Sequence, residues 1–234
     1  MTGPLNGIRI VDLTAVIMGP YATQVFGDMG ADVIKIESPQ GDTTRELGPQ
    51  RSHGMGVVYI NANRSKRSIV LDLTDDDDRE TAFELISDAD VFVTNVRPGA
   101  LERLGFDFES LAARNPRLVY GLSTGYGQGG PDADRAAYDV AAFWARAGVA
   151  NMTAPKGADP FMLRSGFGDH ITALATVSAI LAGLYEREQT GKGRLVQTSL
   201  LATGVYTVGS DLAVQLKFGR LAGPAYRRIG AEFL

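Results

Sequence analysis

The chain has 234 residues and a formal net charge of −4, with 44% hydrophobic residues, 21% charged residues and no cysteine. This composition is typical of a soluble globular protein, and no basic surplus indicates nucleic-acid binding. Without cysteine there is no disulfide, thiolate nucleophile or cysteine metal site, and a cytoplasmic location is favoured. The N-terminal stretch MTGPLNGIRIVDL lacks the basic and apolar regions of a signal peptide.

A strand–helix–strand pattern opens the chain. GIRIVDL at 7–13 predicts a buried strand, 19–31 a helix with Pro20 at its first position, and DVIKIE at 32–37 a second strand. The alternation continues with strands at 67–73, 90–96 and 117–124, and with helices that begin after Thr74 and Asp107 as N-caps. Such alternation predicts an α/β fold with a doubly wound, mostly parallel sheet and helices on both faces.

The residues after 124 have a different character. They predict a glycine-rich loop at 125–139, a helix at 140–148, a long loop at 149–168, an apolar helix from His170 to about Gly191, a strand at 194–199 and a second apolar helix at 200–219. The uncharged part of the first apolar helix, 171–185, is shorter than the ~20 residues that span a bilayer. We therefore expect a buried helix and no membrane partner.

Three familiar kinds of site are not supported by the residue spacing. Glu37 could hold the ribose of a dinucleotide, but TAVIMGP after the first strand lacks the G-x-G-x-x-G pattern. The four acids at 75–78 fall in a predicted first helical turn, where the helix dipole favours them, so we interpret them as a solvated face and expect no metal. His53 and His170 have an arbitrary spacing, and no G-x-S-x-G motif marks a serine nucleophile.

Two features of the sequence each have two possible interpretations. The basic run NRSKRS at 63–68 forms either an exposed turn or an anchor for phosphate groups, which basic side chains bind through charge-assisted hydrogen bonds. Asp169 either caps the long helix by accepting a backbone N–H of its first turn, or acts as an accessible nucleophile. The second interpretation uses Gly166 and Gly168, which leave room for a ligand, and the helix dipole, which favours the ionised carboxylate.

Four longer stretches, taken in order, resemble a known family. They are GIRIVDLTAVIMGPYATQVFGDMGADVIKIESPQGDTTR, NRSKRSIVLDL, VTNVRPGALERLGFDFESLAARNPRLVYGLSTGYGQGGP and LYEREQTGKGRLVQTSLL. Together they resemble class III coenzyme A transferases, a family that includes formyl-CoA and carnitine CoA transferases and the related α-methylacyl-CoA racemases. The resemblance extends from Leu5 to about Leu212.

The resemblance implies an organisation. Residues 1–212 would be the N-terminal part of the family's large, Rossmann-like domain, and 213–234 the start of a linker toward a second domain that family members carry. It also implies a homodimer of two interlocked chains. An alternative is that this chain is a catalytically incomplete fragment that acts as a binding or assembly module.

The resemblance further implies a reaction between an acyl-CoA and a carboxylic acid. Asp169 matches the family's nucleophile, which attacks the thioester and then carries CoA as an aspartyl thioester. Backbone N–H groups near 166–168 would stabilise the tetrahedral oxyanions. No cofactor and no metal are implied, because the CoA thioester is itself the substrate.

The resemblance also implies which residues bind CoA. They are Ile17, Met18, Ser38, Leu71, Thr74, Asn95, Val96, Arg97, Arg103, Tyr138 and Asp139. Several relatives have a basic residue where Ser38 and Thr74 stand, so phosphate contacts are expected from Arg97, Arg103 or the basic run at 63–68. Racemases have a histidine where Tyr138 stands, so transfer is favoured over the alternative of an acyl-CoA racemase, which needs two bases.

Overall fold

Six strands form one sheet in the order β3-β2-β1-β4-β5-β6 in the computed structural model, which describes residues 3–154, 158–161 and 164–219. The strands are β1 (Arg9–Leu13), β2 (Asp32–Glu37), β3 (Lys66–Val70), β4 (Val91–Thr94), β5 (Val119–Thr124) and β6 (Arg194–Ser199). Strands β1 to β5 are parallel, and Val11 lies opposite Ile34 of β2 and Phe92 of β4. The strand order reverses between β1 and β4, as in the Rossmann fold, which confirms the predicted doubly wound α/β sheet.

The helices alternate with these strands. They are α1 (Met18–Asp28), α2 (Val57–Asn63), α3 (Asp76–Ser87), α4 (Pro98–Leu104), α5 (Phe108–Arg114), α6 (Val149–Thr153), α7 (Phe167–Thr190), α8 (Leu200–Thr207) and α9 (Gly209–Phe218). A 3₁₀ turn at Thr43–Glu46 and a π-helical segment at Val140–Arg146 add to them. Helix α2 was not predicted from the sequence, because its β-branched residues obscure the helical pattern. Helix α4 was not predicted either, although Pro98 at its first position and Gly105 at its end, with φ +77°, are typical helix signals.

Helix starts differ from the prediction at three places. Asp75 caps α3 in place of Thr74, because its carboxylate accepts the backbone N–H groups of Asp77 and Asp78. The acids that follow lie in the first turn of α3, as predicted, and no cluster of metal-ligating side chains occurs in the part of the chain that the structure describes. Helix α1 begins at Met18, so Pro20 is its third residue, and α7 begins at Phe167, three residues before the predicted start.

Hydrophobic clusters cover both faces of the sheet, because successive residues of a strand point to opposite sides. Phe92 of β4 packs into a cluster with side chains of α3 and α5, among them Phe83 and Leu111. Val91 and Val93, on either side of Phe92, pack into a second cluster with side chains of α1 and α7. This arrangement confirms that helices lie on both faces.

Helix α7 is the long apolar helix of the sequence analysis. By length and composition alone its 24 residues could cross a membrane. However, Ala173, Val177, Ile180 and Leu184, spaced three or four residues apart, are buried in the second cluster. Helix α7 is therefore a core helix with one buried face, as predicted.

The described chain divides into two compact units. The first contains the described residues up to Thr124 together with Asp169–Thr198, and the second contains Gly125–Gly168 and the described residues from Ser199 onward. In the second unit, α6 forms within the predicted loop at 149–168, and the predicted helix at 200–219 is interrupted at Val208. The predicted linker at 213–234 is helical up to Phe218 as part of α9, and its residues 220–234 lie outside the described residues.

Candidate functional site

The loops that follow the parallel strands meet at the carboxyl edge of the sheet. This edge carries the predicted CoA-binding residues Ile17 and Met18 after β1, Ser38 after β2, Leu71 and Thr74 after β3, and Asn95, Val96 and Arg97 after β4. Ligands of doubly wound folds bind outside this edge, at the point where the strand order reverses. The fold thus brings most of the predicted CoA-binding residues to the edge where a ligand is expected.

The loop after β1 is held in place by side chains from two other loops. The Asn95 side chain accepts the backbone N–H of Ala15 at 3.0 Å and donates to the Ala15 carbonyl at 2.8 Å. Val16 has φ +71°, a left-handed conformation that is costly for a β-branched residue, and its N–H points to the Asp42 carboxylate at 3.3 Å. Asn95 therefore positions this loop, a contact that its predicted role in CoA binding did not include.

A buried ion pair lies beneath this loop. Lys66 Nζ is 3.0 Å from Asp12 Oδ2, and both side chains are at most 2% exposed. The Thr14 and Thr23 hydroxyls also donate to Asp12. Burial raises the pKa of Asp12, but the charges of Lys66 and Lys35 hold it below its usual value. The sequence signal for this pair is a charged residue inside an otherwise apolar strand, and the pair was not among the predictions.

A second buried carboxylate, Glu37, ends β2 beside this pair. It accepts hydrogen bonds from Arg45 at 2.7 and 2.8 Å, from the Tyr59 hydroxyl at 2.9 Å and from the backbone N–H of Asp42 at 3.0 Å. Burial would raise the pKa of Glu37, but these bonds lower it to about 2. Because its oxygens are occupied by the chain's own donors, Glu37 is a structural acid and does not resemble a ribose-binding one.

The basic run at 63–68 does not form a free cationic surface. Arg64 pairs with Asp28 at 2.6 Å, Arg67 pairs with Asp32 at 2.6 Å, and Lys66 is buried against Asp12. Lys66 and Arg67 also start β3, at the amino edge of the sheet, opposite the edge where the loops meet. The interpretation of this run as a phosphate anchor is therefore not supported.

Arg97 and Arg103 differ from these residues. Arg97 precedes the first residue of α4, and Arg103 lies in its last turn. Both are exposed, and neither forms an ion pair with any residue in the ranges described above. They are the cations nearest in sequence to the β4 loop, so they remain the predicted phosphate contacts.

In the second unit, Asp139 and Gly168 are joined directly. The Asp139 carboxylate accepts the Gly168 N–H at 3.1 Å, while Tyr138 is 74% exposed. A side chain at position 168 would collide with Asp139 and the Phe143 ring, so this glycine permits close packing of the chain. That corrects the expectation that it leaves room for a ligand. The bond to Asp139 also removes the Gly168 N–H from the predicted oxyanion donors. The Phe167 N–H is removed as well, because it donates to the Arg164 carbonyl.

Asp169 is the third residue of α7 and only 9% exposed. The interpretation of Asp169 as the N-cap is therefore wrong, because the helix starts two residues earlier. The expected accessibility of the Asp169 carboxylate is also wrong, because only 9% of this residue is exposed. A carboxylate in the first turn is still favoured by the positive end of the helix dipole. Asp169 is thus a nearly buried acid at the start of the longest helix.

The sheet order, the reversal between β1 and β4 and the loops at the carboxyl edge define a doubly wound α/β protein of the Rossmann type. The chain belongs to CoA-transferase family III, whose family model matches residues 5–231. This result confirms the resemblance found in the sequence.

Individual relatives agree with this assignment. The chain is 40% identical over 203 residues to succinyl-CoA:glutarate CoA-transferase of Mus musculus, covering 86% of this chain and 46% of that protein. It is 35% identical over 231 residues to cinnamoyl-CoA:phenyllactate CoA-transferase of Clostridium sporogenes, covering 97% of this chain and 56% of that protein. A crystal structure of a CAIB/BAIF family protein from Brucella suis matches with a TM-score of 0.90 at 35% identity, covering 96% of this chain and 60% of that one. The chain spans about half the length of the curated relatives it matches.

The Asp12–Lys66 pair generates a stability prediction. Lys66→Met leaves Asp12 as an unpaired buried charge, so we expect the free energy of unfolding to fall by about 3–5 kcal/mol in urea denaturation. The matched control is Arg67→Met, the next residue, which removes an exposed pair with Asp32 and should cost less than about 1 kcal/mol. Equal losses of unfolding free energy for the two variants would contradict the larger stabilisation assigned to the buried Asp12–Lys66 pair.

The lowered pKa of Glu37 generates a pH prediction. Because this pKa is lower in the folded chain than its ordinary value of 4.5, ionised Glu37 stabilises the fold at neutral pH, and this stabilisation is lost as the pH falls through that range toward 2. Glu37→Gln should therefore lower the free energy of unfolding by roughly 2–3 kcal/mol near pH 7 and by progressively less between about pH 5 and pH 2. Denaturant titrations of both proteins over this range measure the difference. A difference that stays constant with pH would contradict the assignment.

Proposed function

We propose that this chain is the part of a CoA transferase that binds an acyl-CoA and passes the CoA group to a carboxylic acid, with Asp169 as the nucleophile. The observation that carries the proposal is the position of Asp169 in a chain of CoA-transferase family III: a nearly buried acid in the first turn of α7. A carboxylate there is favoured by the helix dipole, and carboxylates are established covalent nucleophiles.

The proposed reaction has four steps. An Asp169 oxygen attacks the thioester carbonyl and the C–S bond breaks. The thiolate of CoA is released, and Asp169 and the donor acyl group form a mixed anhydride. The thiolate then attacks the Asp169 carbonyl carbon, and the donor acid departs as a carboxylate, which leaves an aspartyl-CoA thioester. The acceptor carboxylate then attacks the aspartyl-CoA thioester, which releases the thiolate and forms a second mixed anhydride. The thiolate attacks the acceptor's carbonyl carbon, so the acceptor leaves as its CoA thioester and the Asp169 carboxylate is regenerated. No electrons or protons are gained or lost, so the proposal needs no cofactor beyond the CoA thioester.

The proposed CoA site is the carboxyl edge of the sheet, with Arg97 and Arg103 at the phosphates. Exposed guanidinium groups without a carboxylate partner are suited to this task, because they bind phosphate oxygens through charge-assisted hydrogen bonds. Ile17 and Met18, which are 8% and 7% exposed, give the end of the β1 loop an apolar character. The loop after β1 would then lie against the uncharged part of CoA.

The proposal extends to the assembly and the substrate class. The names of these relatives give succinyl-CoA with glutarate and cinnamoyl-CoA with phenyllactate, so we propose that the acids used by this chain are organic carboxylates of that range. The resemblance implies a homodimer, and we propose that state here, in the cytoplasm. Racemisation is less well supported, because Tyr138 supplies no second base and Asp139 is already bonded to the Gly168 N–H.

Replacement of Asp169 by Asn tests the nucleophile. The amide cannot form an anhydride, so we expect transfer to fall at least ~10³-fold, as for loss of a covalent nucleophile. The measurement is exchange of CoA between succinyl-CoA and a panel of carboxylic acids, followed by chromatography. Asp107→Asn is the matched control, since Asp107 caps α5 and Asn keeps that cap. Transfer by Asp169→Asn within tenfold of wild type would contradict the proposal, and a wild-type chain that binds CoA but transfers it to no acid would favour the binding-module alternative.

Replacement of Arg103 by Ala tests the phosphate contact. Loss of a charge-assisted hydrogen bond should weaken CoA binding by ~1.5–3 kcal/mol, measured by calorimetric titration of CoA. The control is Arg117→Ala, which removes an exposed arginine just before β5 at the amino edge of the sheet. Equal affinity of the Arg103→Ala variant and the control would remove Arg103 from the site.

A further inference from the structure

One buried hydroxyl of α7 has no hydrogen-bond partner among the residues that the structure describes. Thr172 is fully buried, and within the described ranges its Oγ1 and the Nε of Arg187 are the buried side-chain polar atoms that lack a partner. The other nitrogens of Arg187 are bonded, so its guanidinium is held by Asp90. Thr172 has only one polar side-chain atom, and that atom is the unpaired one. A buried polar group in this state requires an explanation.

The other hydroxyls of α7 show what Thr172 lacks. Thr176 donates to the carbonyl of Thr172 at 2.9 Å, Ser178 to that of Leu174 at 3.0 Å, and Thr190 to that of Glu186 at 3.0 Å. Each bond reaches the carbonyl four residues earlier, which is the usual partner for a hydroxyl within a helix. Thr172 therefore departs from a pattern that its own helix follows elsewhere.

The position of Thr172 relates it to Asp169. Residues three apart in a helix lie on the same face, one turn above the other. Both side chains are at least nine-tenths buried, so they share one enclosed part of the helix surface. Backbone N–H groups near 166–168 were expected to act as oxyanion donors, but those of Phe167 and Gly168 are bonded to the Arg164 carbonyl and the Asp139 carboxylate. The start of α7 thus has a spare donor in the Thr172 hydroxyl.

We propose that the Thr172 hydroxyl is a catalytic hydrogen-bond donor that pairs with the Asp169 carbonyl oxygen in the covalent states of the reaction. The inference rests on the proposed function. When the thiolate attacks the Asp169 carbonyl carbon, the electron pair of the C=O bond moves to oxygen, and the Thr172 O–H donates a hydrogen bond to that oxyanion while it keeps its proton. The pair then returns, and the C–O bond to the donor acid breaks. The Thr172 hydroxyl would thus be a preorganised donor: it has no partner in the resting state and forms its hydrogen bond when negative charge develops on the Asp169 oxygen.

The test compares three variants of residues on α7. Thr172→Val replaces the hydroxyl by a methyl group of similar shape, and Thr172→Ser keeps the hydroxyl. Thr176→Val is the matched control, because it removes a buried hydroxyl that is bonded to Ser123 and Thr198. The rate of aspartyl-CoA formation is measured by rapid quenching and intact-protein mass spectrometry, together with the affinity for CoA and the midpoint of urea unfolding.

We expect Thr172→Val to slow adduct formation by ~10²-fold or more, as for loss of an oxyanion donor, with CoA affinity within about twofold of wild type. Its unfolding midpoint should be no lower than that of wild type, because no bond is lost. Thr172→Ser should stay within about threefold of the wild-type rate. Thr176→Val should show the opposite result, a lower midpoint with a nearly unchanged rate.

Two outcomes would overturn the inference. One is a wild-type rate for Thr172→Val, and the other is a rate for Thr172→Ser as low as that of Thr172→Val. Asp169→Asn is measured in the same series to separate the two proposals. If it forms no adduct while Thr172→Val reacts normally, the nucleophile stands and only the role of Thr172 is wrong. If it still forms an adduct, the proposed function itself is wrong.

Discussion

The buried ion pair between Asp12 and Lys66 connects β3 to β1 and α1, whose bonded residues precede Lys66 by 54 and 46 residues. Asp12 lies near the end of β1, Lys66 begins β3, and Lys66 also donates to the Pro20 carbonyl in α1. Buried charges are tolerated only when each is paired and hydrogen-bonded, so this network permits few alternative arrangements. The chain between Asp12 and Pro20, which forms the loop at the switch point of the sheet, is therefore fixed by the protein's own charges.

This loop replaces the glycine-rich turn of dinucleotide-binding sheets. In those sheets glycines supply the unusual backbone conformation and let a pyrophosphate approach the first helix. Here Val16 takes the left-handed conformation, Asn95 holds the preceding residue Ala15, and the Asp42 carboxylate accepts the N–H of Val16 itself. The same topology thus presents buried apolar residues where other Rossmann folds present N–H groups. The exposed cations near this edge, Arg97 and Arg103, lie at the start and in the last turn of α4.

The start of α7 illustrates how a glycine can be mistaken for open space. Gly168 lacks a side chain because Phe143 and Asp139 occupy that volume, and its N–H is bonded to Asp139. Asp169 is 9% exposed, and Thr172 lies one turn further along the helix. Asp169 therefore differs from an exposed helix cap in two respects. Solvent reaches little of it, and a hydroxyl one turn away, that of Thr172, has no hydrogen-bond partner among the described residues.

Much of the fold follows from the sequence by itself. The alternation of apolar strands with helical segments determined the doubly wound sheet, because period-2 and period-3.6 patterns are local properties, and β2 and β6 have the predicted bounds. The four ordered stretches, including the one that ends at Leu201, also identified the family. The tertiary structure alone decided which charges pair. Lys66 and Arg67 are adjacent in the sequence, yet one is buried against Asp12 and the other is exposed beside Asp32. It alone decided the surroundings of Gly168 and the unpaired state of Thr172 as well. Partners of this kind are distant in sequence and are selected only when the strands and helices pack, so no local pattern records them.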